Sequence, residues 1–318
     1  MAPNDLDSFL LALPKAELHV HLEGTLDEEV LAELDPAVTA EEVAKHYQPG
    51  SFDLFIEGFK WAVGHLRTPD DYALAARRYL EKLPAQGVRY VELTLAAGVV
   101  LRRNQNFPAI YDAVADECRR AAVDAWLVLD AVRHFGEEHV ESVARLAVER
   151  AGDRVVGFGI GGDERIAPAE RFAATFAFVR EHGLALVPHA GETVGAASVR
   201  ACLEMGARRI GHGIRAAEDA ELVAELARRG VALEVCISSN VATGAVESLA
   251  AHPVRRLFDA GVPVVLNTDD PALFRTTLMD EYRLAAGCFG FTGEELAVVA
   301  ANGLRHALAP GARAATES

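Results

Sequence analysis

His19 and His21 flank Val20 in the run Glu17-Leu18-His19-Val20-His21-Leu22-Glu23-Gly24. On a strand, side chains two residues apart leave the same face, so both imidazoles reach one point. Two converging neutral imidazoles are half of a transition-metal site. Three further clusters stand at the ends of apolar runs far down the chain: His189-Ala190-Gly191-Glu192, His212 between Gly211 and Gly213, and Asp269-Asp270 before Pro271. His19, His21, His189 and Asp269 together offer nitrogen and oxygen without thiolate, a donor set that suits Zn2+. A catalytic zinc keeps a position for water and acidifies it towards neutral pH. Glu192, three residues past His189, is placed to protonate a substrate. His212 and Asp270 remain to orient the water and hold the substrate. Packing offers other uses, a satisfied core histidine for His212 and a helix N-cap before Pro271 for Asp270.

Something must carry these residues to one place. Apolar runs predict strands over 18–21, 90–95, 126–130, 155–159, 184–188, 209–211, 232–236 and 262–267. Between them, helical spacing predicts helices over 69–83, 110–122, 137–151, 168–182, 197–205 and 219–229. Gly87, Gly183, Gly206, Gly230 and Gly261 fall where helices give way to strands, as a left-handed helix cap requires. The alternation and count fit an α/β fold, a (β/α)8 TIM barrel in one domain spanning 1–318; a doubly wound open sheet is the structural alternative. In a barrel all the strand ends that carry chemistry share one rim. The long insertion after the first strand holds Phe52, Phe55, Ile56, Phe59 and Trp61 in one apolar stretch. It reads as a core helix, as a lid over a flat ligand, or as both.

Bulk properties narrow the partners. The chain has 318 residues, 31 Lys and Arg against 47 Asp and Glu, and a formal charge of −16. That balance argues against nucleic acid and against an anionic membrane surface. No apolar stretch has the length of a membrane span, and the start lacks the basic segment of a signal peptide. Cys118, Cys202, Cys236 and Cys288 are widely spaced, as expected of reduced thiols in a cytoplasmic protein. Oligomeric state is not readable. Two motifs mislead. Gly157-Phe158-Gly159-Ile160-Gly161-Gly162 matches a dinucleotide loop, yet Asp163 and Glu164 follow where pyrophosphate would sit. A nicotinamide oxidoreductase would also leave the His and Asp clusters without purpose. His21-Leu22-Glu23 matches the start of the cytidine-type zinc deaminase signature, but the required Pro-Cys-x-x-Cys is missing.

Pro14 to Gly24, His189-Ala190-Gly191-Glu192, Gly211-His212-Gly213 and Thr268-Asp269-Asp270-Pro271 together resemble the adenosine deaminase family of the amidohydrolase superfamily, in order and spacing, from about residue 10 to 308. The resemblance implies a (β/α)8 barrel with one zinc that hydrolyses the 6-amino group of a purine and releases ammonia. It makes His19, His21, His189 and Asp269 the ligands, with Asp269 also bonding the attacking hydroxide. Glu192 would protonate N1, His212 would stabilise charge at C6, Asp270 would bond N7, and the Gly162 amide would meet N3. Phe55 and Phe59 would form the lid on the sugar side. The sequence departs from the family's pattern on that side. Glu23 stands where an Asp commonly meets the ribose 5′-hydroxyl, and Gly159-Ile160-Gly161-Gly162 replaces Asp-Leu-Ala-Gly. The expected substrate is therefore a 6-aminopurine nucleoside, adenosine or 6-aminodeoxyfutalosine (an intermediate of menaquinone synthesis), with free adenine as the alternative. A different metal-dependent hydrolase on the same barrel would share the ligands but not need Glu192 and Asp270.

Overall fold

Each predicted apolar run forms a parallel strand in the computed structural model, which describes residues 3–309; the outermost residues of the expected 1–318 domain lie outside them. The strands are β1 (Lys15–His21), β2 (Val88–Leu95), β3 (Asp124–Val132), β4 (Val155–Gly161), β5 (Ala185–Leu186), β6 (His189–Ala190), β7 (Arg209–His212), β8 (Ala232–Val235) and β9 (Val264–Leu266). Near-continuous burial along β1 and β4 is what a sheet covered on both faces requires. The strand expected over 184–188 is shorter, ending as β5 at Leu186, and after an interruption at Val187-Pro188 the chain resumes pairing as β6. Pro188 has no N–H to give the ladder.

The strands pair in sequence order, β1 to β5 in one sheet and β6 to β9 in another. A parallel bridge between Val20 and Asp269 joins the first strand to the last. There the His21 amide donates to the Asp269 carbonyl at 2.8 Å and the Asp269 amide to the His19 carbonyl at 3.1 Å. The Asn267 side chain accepts from the amides of Leu18 (2.7 Å) and His19 (3.1 Å). Thr268 donates its hydroxyl to the buried Glu17 carboxylate, which also accepts from Tyr79. Eight staves thus close into a barrel, and the closing seam carries three of the expected metal ligands.

Helices cover the barrel. Pro69–Lys82, Glu137–Glu149 and Ala220–Arg229 lie within about two residues of their predicted limits. The helix expected over 110–122 runs Phe107–Arg120, because Asn106 caps it and Pro108 suits a first turn. The 168–182 segment begins as a 3-10 turn, Ala169–Phe172, before the helix Ala173–Glu181. All five glycines expected at helix-to-strand junctions have positive φ. The insertion after β1 folds into Glu28–Leu34, Ala40–His46 and Phe52–Val63. The helices Leu278–Phe289 and Gly293–His306 end the described chain, each begun by a Thr and acid capping box. At the opposite end from the site, Leu304, Ala307 and Ala309 pack on Ala16, Tyr90 and Val156 near the strand starts. Cys118, Cys202 and Cys236 are buried and Cys288 is exposed, all as free thiols. Among the described residues no helix is long and apolar enough to cross a membrane.

Candidate metal centre and active site

His21 ends β1, His189 begins β6, His212 ends β7 and Asp269 follows β9. All four stand at the strand C-terminal rim. His212 (φ 58) and Asp269 (φ 65) hold left-handed backbone conformations that residues with a Cβ rarely adopt. Such strain persists only where the surroundings impose it.

The donor atoms converge. His21 Nε2 lies 3.2 Å from His189 Nε2, and Asp269 Oδ1 lies 3.2 Å from His19 Nε2 and 3.3 Å from His21 Nε2. His212 joins His19, His189 and Asp269 in a set of donor atoms within 4.8 Å of one another. His21, Asp269 and Asp270 form a second such set. The four expected ligands therefore meet, and His212 and Asp270 each lie within the same reach of some of them.

The chemistry of these atoms fits a cation. Burial opposes charge on His19, yet hydrogen bonds to Asp269 and Glu234 raise it to about 10. Burial likewise opposes charge on His21, and the bond to Asp269 with the charge of Asp270 raises it to about 9. Asp269 stays well below the usual carboxylate range: hydrogen bonds from His19 and His21 outweigh its desolvation. His189 is pushed well down by burial and by its imidazole neighbours. Its Nε2 faces that of His21, a contact that a shared ion satisfies better than a proton. The three imidazoles and Asp269 thus fit a divalent metal of zinc's ligand preference. His19 Nδ1 bonds Glu234 at 2.9 Å, the carboxylate partner by which a ligating imidazole is held in one orientation. Glu234 is bonded in turn by the buried Arg209, which also binds Glu92.

The other expected residues surround a cavity of about 140 Å³ above the cluster. Glu192 lines it, 7 % exposed, with Oε2 at 3.7 Å from His212 Nε2. Burial, then the charges of Asp269 and Glu164, raise Glu192 to about 8. Burial and the neighbouring Asp269 raise Asp270 well above its ordinary value, and its Oδ1 has no protein partner. Glu192 therefore keeps a proton to donate near neutral pH. Gly162, at φ +85°, lines the cavity, and a Cβ there would stand 2.9 Å from His134 Nδ1. Phe55 and Phe59 line the opposite wall with Phe52 and Ile56, all on the helix Phe52–Val63. Trp61 of the same helix turns away and stacks on His46 at 4.4 Å. The insertion is thus a cavity wall on one face and packing on the other.

Glu23 departs from its expected substrate contact. It is fully buried outside the cavity lining, and its carboxylate turns to accept from the Ala96 amide at 3.1 Å.

Several residues not foreseen from sequence set the geometry. Val254 N–H donates to His252 Nδ1, so His252 Nε2 holds the proton and donates to Asn240 Oδ1 at 3.2 Å. The Asn240 amide then donates to His212 Nδ1 at 3.0 Å, which leaves the His212 proton on Nε2, facing the site. Burial lowers His212 to about 4, so it is a neutral donor there. Glu164 accepts from the amides of Gly191, Glu192 and Thr193 and from the Ser198 hydroxyl, holding the loop that bears Glu192. Buried Arg133 clamps the carbonyls of His189 (2.7 Å) and Ala167 (3.2 Å). The Asp163-Glu164 pair, read in the sequence as hostile to pyrophosphate, was the one visible signal of this shell.

Comparison with known proteins places the geometry in context. The sequence pattern of the family described as Adenosine deaminase matches residues 14–316. An aminodeoxyfutalosine deaminase of Streptomyces coelicolor is 38% identical over 99% of this chain and 86% of its own length. An adenine deaminase of Rhizobium johnstonii is 38% identical over 89% of this chain and 91% of its own. Among solved structures, an adenine deaminase from Arthrobacter aurescens superposes with a TM-score of 0.88 at 30% identity, covering 96% of this chain and 97% of that one. An amidohydrolase from Burkholderia ambifaria with bound Zn gives 0.87 at 25% identity, over 98% of this chain and 90% of that one.

Proposed function

The chain belongs to the adenosine deaminase family, and from that premise we propose that it removes the 6-amino group of a purine by hydrolysis, releasing ammonia. The observation that carries this reading is the match of donors to acceptors. Purine N1, N3 and N7 all accept hydrogen bonds. Three groups that line the cavity would serve as the donors: the Glu192 acid, the Asp270 carboxyl and the Gly162 amide.

His19, His21, His189 and Asp269 would hold the metal, zinc by donor preference. When bound, such an ion makes water nucleophilic near neutral pH. Glu192 gives its proton to N1, drawing electron density from C6 as the C–O bond forms. His212 Nε2–H donates to the oxygen arriving at C6, where negative charge develops. Asp270 donates to N7 and fixes the ring in its plane. The C6–N bond then breaks as the proton of the added hydroxyl passes to the amino nitrogen, which leaves as ammonia. The ring becomes the 6-oxo purine, with the proton from Glu192 kept on N1. The aromatic wall of Phe52, Phe55 and Phe59 excludes water from one side.

Two substrates within this class compete. The cavity of about 140 Å³ is well below the roughly 300–1,000 Å³ usual for drug-sized ligands. That size supports free adenine. The Streptomyces coelicolor relative supports an N9-substituted nucleoside such as 6-aminodeoxyfutalosine, for which Lys60 and His134 line the cavity as polar contacts. A panel of adenine, adenosine, 2′-deoxyadenosine and 6-aminodeoxyfutalosine, followed by ammonia release and purine absorbance, tests both. We expect adenine to turn over fastest. Ammonia from none of them removes the purine assignment.

A further inference from the structure

Glu192, Gly162 and Asp270 are assigned to N1, N3 and N7, and one further carboxylate lines the cavity without a role. Asp130 stands near the end of β3, 4 % exposed, and lines the cavity. Its Oδ1 is buried without a protein partner. No step at C6 employs it. The neighbouring strand is shaped around it: a Cβ at Gly159 would lie 2.6 Å from Oδ1, and one at Gly161 2.9 Å from Oδ2. Only glycine at both positions leaves room for this carboxylate. Leaving a buried acceptor unmet costs roughly 1–3 kcal/mol, and the carboxylate that bears it belongs to a cavity-lining residue, so a ligand can supply the missing donor.

The order of residues around the rim identifies the donor. From β6 back through β4 and β3 to β1 and across the seam to β9, the sequence is Glu192, Gly162, Asp130, Asp270. The purine edge, traversed from N1 through N3, presents N9 before N7. Matching the two circuits sets Asp130 opposite N9. In adenine, N9 bears a hydrogen; in every nucleoside it bears the sugar. We propose that Asp130 accepts the N9–H of the bound base and so selects free adenine over N9-substituted purines. The inference rests on the purine reading and adds to it a residue that decides the substrate.

The test compares adenine with 9-methyladenine, which differ at that one position. In wild-type enzyme loaded with metal, adenine should exceed 9-methyladenine in kcat/KM by at least roughly a hundredfold, and by about 10⁴ if Asp130 rejects the methyl group as fully as sites built for a hydrogen bond reject analogues lacking it. Asp130→Leu should lower the adenine value by a similar factor, mainly through KM, and leave 9-methyladenine within about threefold. Asp130→Asn, closer in shape, should fall between. Calorimetric binding of purine and 9-methylpurine, which have no amino group to lose, gives a second reading on wild-type protein alone, so a misfolded variant does not block the test. There, tighter binding of purine supports the assignment and equal binding overturns it. Equal turnover of adenine and 9-methyladenine by wild type, or an equal loss on both in Asp130→Leu, also overturns it while the deaminase reading stands. Ammonia from neither compound overturns both.

Discussion

Single side chains divide into those that hold charge and those that aim it. His19→Ala or Asp269→Ala removes a donor from the centre of the cluster, and both metal content and activity should be lost, as measured by elemental analysis and ammonia release. Glu192→Gln keeps the shape without an acidic proton. It should retain metal and lose roughly 10²–10⁴ in turnover; undiminished turnover would discard its role at N1. Glu234→Gln acts through His19 and should weaken metal affinity about 10- to 100-fold, readable by competition with a chelator. The ligands were legible in the sequence because imidazoles and carboxylates at strand ends are rare and their spacing restricts where they can point. Glu234, Asn240, His252 and Asp130 were not. Each is an ordinary polar residue within an unremarkable run, and its meaning lies in a partner such as Glu234 for His19, 215 residues away along the chain.

At the scale of elements, the strand count and the junction glycines followed from periodicity, because a covered parallel strand must be apolar and a left-handed cap must lack a Cβ. The split of β5 from β6 was written in Pro188, but the run 184–188 reads as continuous to any hydrophobicity argument. The helix Phe52–Val63 illustrates the converse. Its apolar residues are evident, while which of them face the substrate depends on rotation about the helix axis, visible only once Phe55 is seen 5.2 Å from Phe274 and Trp61 on His46. Phe59 is partly buried and packs against the core, so Phe59→Ala should lower the melting temperature by only a few degrees. It should raise KM by roughly tenfold, the effect of losing about 1.5 kcal/mol of apolar contact.

For the whole molecule, buried ionisable groups make stability depend on pH. Glu281, fully buried, accepts from Ile237 N–H at 2.8 Å and from Thr276 at 2.9 Å, yet desolvation dominates and raises it from 4.5 to about 7. The folded state therefore binds this proton more tightly than the unfolded chain. Its stabilising contribution is complete below about pH 4.5 and is lost as pH rises through about 7. Wild type should lose stability relative to Glu281→Gln across that window, by up to about 3 kcal/mol, in denaturant titrations at stepped pH; parallel curves would show that the burial is not felt.

The ionic thread inside the barrel joins its two ends. The His306 carbonyl and the Leu308 amide cap Arg209 and Glu92, and the Ala309 amide caps the Tyr90 hydroxyl. Arg209 in turn grips Glu234, which steadies His19. A chain trimmed before residue 306 would open this thread to solvent from below. Its first symptom would be slack in an imidazole at the far mouth, long before any helix unravelled.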